Sequence, residues 1–174
     1  MDGFTGENLL TTIVTLAMDA DSQAWFESLR QAHFPPALNR IPAHLSLFHQ
    51  LPGDANTGGI LRSAAAGRKP LALRVDGVRS MGRGVTYTLA SPELGGLHRA
   101  LAAQFTAFLT PQDRQPLHPH VVVQNKVEPA EAKLLLAQLQ AGFRSREVQA
   151  TGLLWWEYLG GPWKKLEEFP FEAV

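Results

Sequence analysis

Residues 44–53, HLSLFHQLPG, read as a short β-strand stopped by Pro52-Gly53, and residues 118–127, HPHVVVQNKV, read as a second one. Alternate side chains of a strand point to opposite faces. His44, Ser46 and Phe48 are therefore expected on one face of the first strand, with Leu45 and Leu47 on the other. In the second, His118, His120, Val122, Gln124 and Lys126 are expected on one face, opposite Val121, Val123, Asn125 and Val127. Each strand thus offers an apolar side for helices and a side that carries imidazole. His44 and His120 stand 76 positions apart.

Working outward, each histidine strand sits in the same order of elements. Ahead of the first lie a β-rich run, Thr11–Ala17, and a helix over Asp19–His33 with Asp21 or Ser22 as N-cap and Trp25, Phe26 and Leu29 as its apolar stripe. Phe34-Pro35-Pro36 ends that helix. A short helix over Thr57–Ala66 and a strand over Pro70–Val78 follow. The second series opens with a strand, Val85–Ala90, which closes a hairpin across Gly82 and Gly84, and a helix over Pro92–Leu109. After the His120 strand come a helix opened by Pro129 and stopped near Gly142, then strands around Ala150–Tyr158 and Trp163–Phe169. Asp54–Gly59 and Thr110–Pro116 read as the mobile loops. The residues barely repeat, but the order strand, helix, histidine strand, helix, strand occurs twice. This predicts an α+β fold, two-lobed and internally duplicated: antiparallel sheets with outer helices, enclosing a central cleft with His44 and His120 across it. Residues 1–174 form one such domain, expected to be a monomer.

Composition narrows the function. The 174 residues are 45% hydrophobic and 18% charged, an ordinary globular balance. A chain of this size buries roughly 70% of its unfolded surface and needs no staples. Sixteen basic residues balance sixteen acidic ones, which argues against a nucleic-acid coat protein and for a small nucleotide or a single RNA end. Cysteine is absent, which excludes thiolate chemistry and cysteine-ligated zinc. Met1–Asn8 shows no basic region followed by an apolar core, and no apolar run reaches the roughly 20 residues of a membrane span, so a cytoplasmic protein without a membrane partner is expected.

His44-Leu45-Ser46-Leu47 resembles the His-x-Thr/Ser-x signature of the 2H phosphoesterases, which include the so-called 2′-5′ RNA ligases and cyclic nucleotide phosphodiesterases. The second copy reads His120-Val121-Val122-Val123: the histidine is in place, but Val122 stands where the signature has a hydroxyl. The resemblance spans nearly the whole chain in element order and is sharp at these two segments. It implies that His44 and His120 are the acid and base of a phosphodiesterase that uses neither metal nor cofactor. Its partner would be a nucleotide or short RNA end, carrying a 2′,3′-cyclic phosphate or a 2′-5′ linkage.

The chemistry fits these residue types. Imidazole titrates near neutrality and serves as base or acid, and two imidazoles on opposite sides of one phosphorus allow in-line attack and departure. Ser46 can donate to a phosphoryl oxygen, whereas Val122 has no donor; Gln124 or Lys126 is the candidate substitute. His118, Val122, Phe48 and Tyr87 are candidate cleft-lining residues. The aromatic cluster Trp155, Trp156, Tyr158 and Trp163 could stack a base, although adjacent Trp155 and Trp156 point to opposite faces. Arg74 and Arg83 could grip phosphate or stand in solvent. His49 reads as structural; His33 and His98 read as incidental. Two rival readings stand beside this one: a binding module that Val122 has stripped of catalysis, and a metal-dependent hydrolase built on His118 and His120.

Overall fold

The computed structural model describes residues 10–172; the stretch Met1–Asn8, read above as lacking a leader, lies outside them. The strands are β1 (Thr11–Met18), β2 (Ser46–Pro52), β3 (Leu71–Ser80), β4 (Val85–Ala90), β5 (His120–Gln124), β6 (Arg146–Tyr158) and β7 (Trp163–Pro170). The helices are α1 (Ala20–His33), α2 (Ala55–Ala65), α3 (Pro92–Gln104) and α4 (Pro129–Ala141). The expected doubling is present as β1-α1-β2-α2-β3 and β4-α3-β5-α4-β6, with β7 added.

Local chemistry sets the helix boundaries. Asp19, not Asp21 or Ser22, caps α1: its Oδ2 accepts the Ser22 N–H at 3.0 Å, while Oδ1 accepts the Gln149 N–H and ties the cap to β6. Asp54 caps α2 by accepting the Thr57 N–H at 2.8 Å, so Asp54–Gly59 is a cap and first turn rather than a loop. Ser91 caps α3, and Pro92 and Pro129 occupy first-turn positions. α3 stops at Gln104, short of the expected Leu109; a separate 3-10 turn carries Thr106–Phe108, and Phe108 is exposed.

All strand pairings are antiparallel, in the order β2-β1-β6-β3-β4-β5, with β7 also on β6. The sheets of the two lobes are therefore joined along β6. Its beginning pairs with β3, its remainder pairs with β1 and β7, and Ala150 partners both Met18 and Leu71. β6 needs Gly152, since a Cβ there would lie 2.6 Å from the Phe169 carbonyl oxygen of β7.

The helices bind the lobes by docking across them. α1 belongs to the first lobe, yet Trp25 and Phe26 pack on Tyr87 of β4, with ring centroids 5.1 and 6.1 Å apart. α3 belongs to the second lobe, yet His98 stacks on Phe48 of β2 at 4.7 Å and Phe105 meets the same ring edge-on. One apolar core runs through both lobes, from Leu16 and Leu45 to Val121, Val148 and Leu153.

Both histidine strands carry a β-bulge at the same place. Thr15 pairs with Ser46 and the next residue back, Val14, with Phe48, so Leu47 is an extra residue. Thr86 pairs with Val122 and Val85 with Gln124, so Val123 is extra. Each bulge lies three residues after its histidine and reverses the alternation beyond it. Phe48 and Gln124 therefore turn from the cleft face to the core face, and both are buried. Neither lines the cleft, contrary to the strict alternation read from sequence. Tyr87 is likewise a core residue, facing α1.

Candidate active site

β2 and β5 are the two ends of the strand order, and α1 spans the gap between them. Gln23 donates to the Ala43 carbonyl at 2.8 Å, and Glu27 accepts the Ala43 N–H at 2.7 Å. One turn on, Arg30 donates from Nη1 to the Val122 carbonyl at 3.1 Å. Glu27 and Arg30 are three residues, roughly 4.5 Å, apart along the helix axis. The same face of α1 thus fixes the segment bearing His44 and the strand bearing His120. A positive charge on His120 would disfavour protonation of His44 across the gap.

His44 lies just ahead of β2 rather than within it, on a segment also held by the Leu16 N–H bonded to the Leu45 carbonyl at 2.9 Å. His120 is the first residue of β5. The two rings are held alike. His44 Nδ1–H donates to the Pro42 carbonyl and His120 Nδ1–H to the His118 carbonyl, each at 2.8 Å. A carbonyl only accepts, so these bonds fix the tautomer and leave Nε2 of both rings free to accept or deliver a proton.

The surroundings of the two rings differ. His44 is half-buried and lies against Trp163, centroids 4.8 Å apart; Trp156 is 6.0 Å farther on and donates from Nε1 to Thr15 Oγ1. Burial pushes the His44 imidazole down to about 4, with help from the nearby charges of Arg30, His120 and His49, against the opposing bond to Pro42. His120 is exposed at the mouth of a cavity of about 380 Å³ shared with His118, Asp76, Arg79, Thr86 and Thr88.

Ser46 pairs with Thr15 and Val122 with Thr86, and both side chains are half-buried. They occupy equivalent places two residues after their histidines. Gln124 is buried on the core face beyond the bulge, with its Oε1 unpartnered. Lys126 lies beyond the end of β5 in a left-handed turn at φ 62°, so the alternation that placed it on the cleft face does not reach it. Arg83 bonds the Val127 carbonyl from the β3–β4 turn and is structural. Gly84 permits that close approach, since a Cβ there would lie 1.9 Å from the Gln124 carbonyl oxygen. Trp155 faces α2 and Trp156 the cleft side.

Sequence reasoning missed the polar residues that hold the edges of the sheet. An edge strand presents unpaired backbone groups. On β5, Arg30 satisfies the Val122 carbonyl; it is buried, bonded to Asn39 Oδ1 and laid over the Phe34 ring at 4.1 Å. On β2, His98 donates from Nε2 to the Leu47 carbonyl at 3.1 Å, so it is not incidental. Asp113 accepts the His49 and Gln50 N–H groups and the His49 ring N–H, which pins the loop Thr110–Pro116 that was expected to be mobile. Burial works against ionisation of the Asp113 carboxyl, but these bonds outweigh it and hold the group below the usual range. Arg79, Thr88 and Asp76 near His120 were also missed. The signal for Asp76 and Arg79 was the outward half of the alternation in residues 71–80, interrupted at Gly77; Thr88 lies on the partner strand β4.

Among the described residues no group of three or more His, Asp or Glu side chains could hold a metal ion, and no helix is long and apolar enough to cross a membrane. The family model described as the 2′-5′ RNA ligase superfamily matches residues 18–162. No curated protein sequence matches. Among solved structures, TT0787 of Thermus thermophilus is similar with a TM-score of 0.64 at 14% identity, covering 94% of this chain and 99% of its own. Escherichia coli LigT is similar with a TM-score of 0.58 at 18% identity in its complex with NADP+, covering 94% of this chain and 99% of its own. In its complex with 3′-AMP the values are 0.56 and 16%, covering 95% and 100%. At these identities the likeness establishes the fold.

Proposed function

The chain belongs to the 2′-5′ RNA ligase superfamily of 2H phosphoesterases, and we propose that it is a metal-independent phosphodiesterase for 2′,3′-cyclic phosphate, 2′-5′-linked or related esters at a nucleotide or RNA end. The observation that carries this reading is the matched presentation of the two imidazoles. Each spends Nδ1 on the carbonyl two residues earlier and keeps Nε2 free.

In hydrolysis of a cyclic ester, His44 takes a proton from water at Nε2 while the water oxygen forms a bond to phosphorus. The bond from phosphorus to one ribose oxygen breaks, and that oxygen receives a proton from Nε2 of His120. His44 suits the base, because burial keeps it neutral before substrate arrives and the negative phosphate then raises its proton affinity. The Ser46 hydroxyl, half-buried two residues after His44, is the proposed donor to a phosphoryl oxygen. Trp163 beside His44 offers a flat surface for a base or ribose. The complexes of LigT with 3′-AMP and NADP+ make a nucleotide ligand a reasonable expectation for this chain.

The test is hydrolysis of 2′,3′-cyclic nucleotides, 2′-5′ dinucleotides and 3′-5′ controls in excess EDTA. Turnover of one of the first two classes, undiminished by the chelator, is the expected result. Turnover that requires added zinc or manganese would contradict the reading. Nucleotide binding with no turnover anywhere in the panel would make the chain a binding module.

A further inference from the structure

The second lobe lacks the hydroxyl that Ser46 supplies to the first, and its neighbours do not replace it directly. Across β3, β4 and β5 the register sets Arg79, Thr86 and Val122 in one row; the next row on the same face is Gly77, Thr88 and His120. Thr86 turns its hydroxyl to the Val121 carbonyl at 3.0 Å, and Thr88 donates its own to Asp76 Oδ1 at 2.7 Å. Arg79 is exposed and lines the same cavity as His120. The ion pairs described are His49–Asp113 and Arg62–Glu167, and the arginines lying over aromatic rings are Arg30, Arg62 and Arg146; Arg79 is in neither set. Neighbouring strands are about 4.8 Å apart, so the Arg79 and Val122 backbones are separated by roughly 10 Å, most of which an arginine side chain spans.

We infer that Arg79 is the phosphate-binding residue of the second lobe, reaching over Thr86 to do for the substrate what a hydroxyl at position 122 would otherwise do. Its planar fork suits the two non-bridging oxygens of a phosphodiester, and its charge offsets the negative charge that a neutral hydroxyl would leave in place. Asp76, the one carboxylate of the cavity, is occupied by Thr88 and does not close an ion pair with Arg79. This inference rests on the two-histidine reading of the site.

Its test is the hydrolysis of the preferred panel substrate by the wild type, Arg79→Ala, Arg79→Lys, Val122→Thr and the double variant Arg79→Ala/Val122→Thr. Arg79→Ala is expected to lose about 10²-fold in kcat/KM, the typical effect of removing one such donor. Arg79→Lys should recover part of the loss. Val122→Thr should change the wild type less than about threefold but raise the Arg79→Ala variant about tenfold, because the hydroxyl then has a vacancy to fill. Arg79→Ala within twofold of wild type, or the same factor for Val122→Thr in both backgrounds, would overturn the inference. An unchanged Tm in Arg79→Ala separates a lost contact from a lost fold. If the wild type hydrolyses nothing in the panel, the two-histidine reading fails and calorimetry with 3′-AMP judges Arg79 alone. Weaker binding by Arg79→Ala supports its role, and equal binding overturns it.

Discussion

Ser46 and Val122 occupy equivalent places, each two residues after a histidine and one before a bulge, yet one offers a hydroxyl and the other a methyl. Farther along, Phe48 and Gln124 are equivalent too. Phe48 fills the core against His98, while Gln124 carries an unpartnered amide oxygen into it. The backbone device is common to both lobes: a ring held through Nδ1, a bulge three residues on, and an edge carbonyl capped by a helix from the opposite lobe. The side chains laid over that device differ. The duplication therefore persists in backbone geometry, where histidine placement requires it, and has drifted in the groups that meet substrate and core.

The sharpest way to break this comparison is to remove the rings. His44→Ala and His120→Ala should each cost about 10³-fold in turnover, within the range for general acid–base groups. A tenfold difference between them would mean that the lobes are unequal in chemistry as well as in surroundings. Ser46→Ala should cost about 10²-fold, whereas Val122→Ala, which removes no donor, should cost less than about threefold. Equal losses would deny the asymmetry between lobes.

Stability probes the same comparison in the core. Phe48→Ala should lower stability by about 4 kcal/mol, measured by urea unfolding. Arg30→Met should lower it by about 2 kcal/mol by orphaning the Val122 carbonyl and Asn39. The pH dependence has a definite sign. Burial holds His44 and His98 below the ordinary histidine value in the folded chain, so the unfolded chain binds more protons as pH falls below about 6.5. Stability should fall from there towards pH 4, and His98→Asn should flatten part of that slope. The smallest effect belongs to Gln124→Leu, which removes a buried unpartnered oxygen and should leave stability unchanged or raise it by about 1 kcal/mol.

Much of the fold was legible because alternation, helix caps and proline positions are local signals. Val85–Ala90 fell where expected, and the doubled order of elements placed both histidine strands correctly in the series. The bulges at Leu47 and Val123 were not legible. Neither residue differs from an ordinary strand residue, and the bulge shows only in pairing with β1 and β4. That one feature carried Phe48 and Gln124 off the cleft face in the same way. Arg30, His98 and Asp113 were missed because their partners are backbone groups 92, 51 and 64 positions away, to which no sequence pattern points. Asp113 also sits in a segment whose composition reads as a loose loop.

The central claim is that His44 and His120 act as one unit on one phosphorus. It is tested most directly by measuring hydrolysis of the preferred substrate in excess EDTA by His44→Ala, His120→Ala and the double variant, with folding verified by Tm. Residues that act as a unit are non-additive, so the double variant should be about as slow as either single one. Losses that multiply, or a single variant that keeps wild-type turnover, would contradict the account.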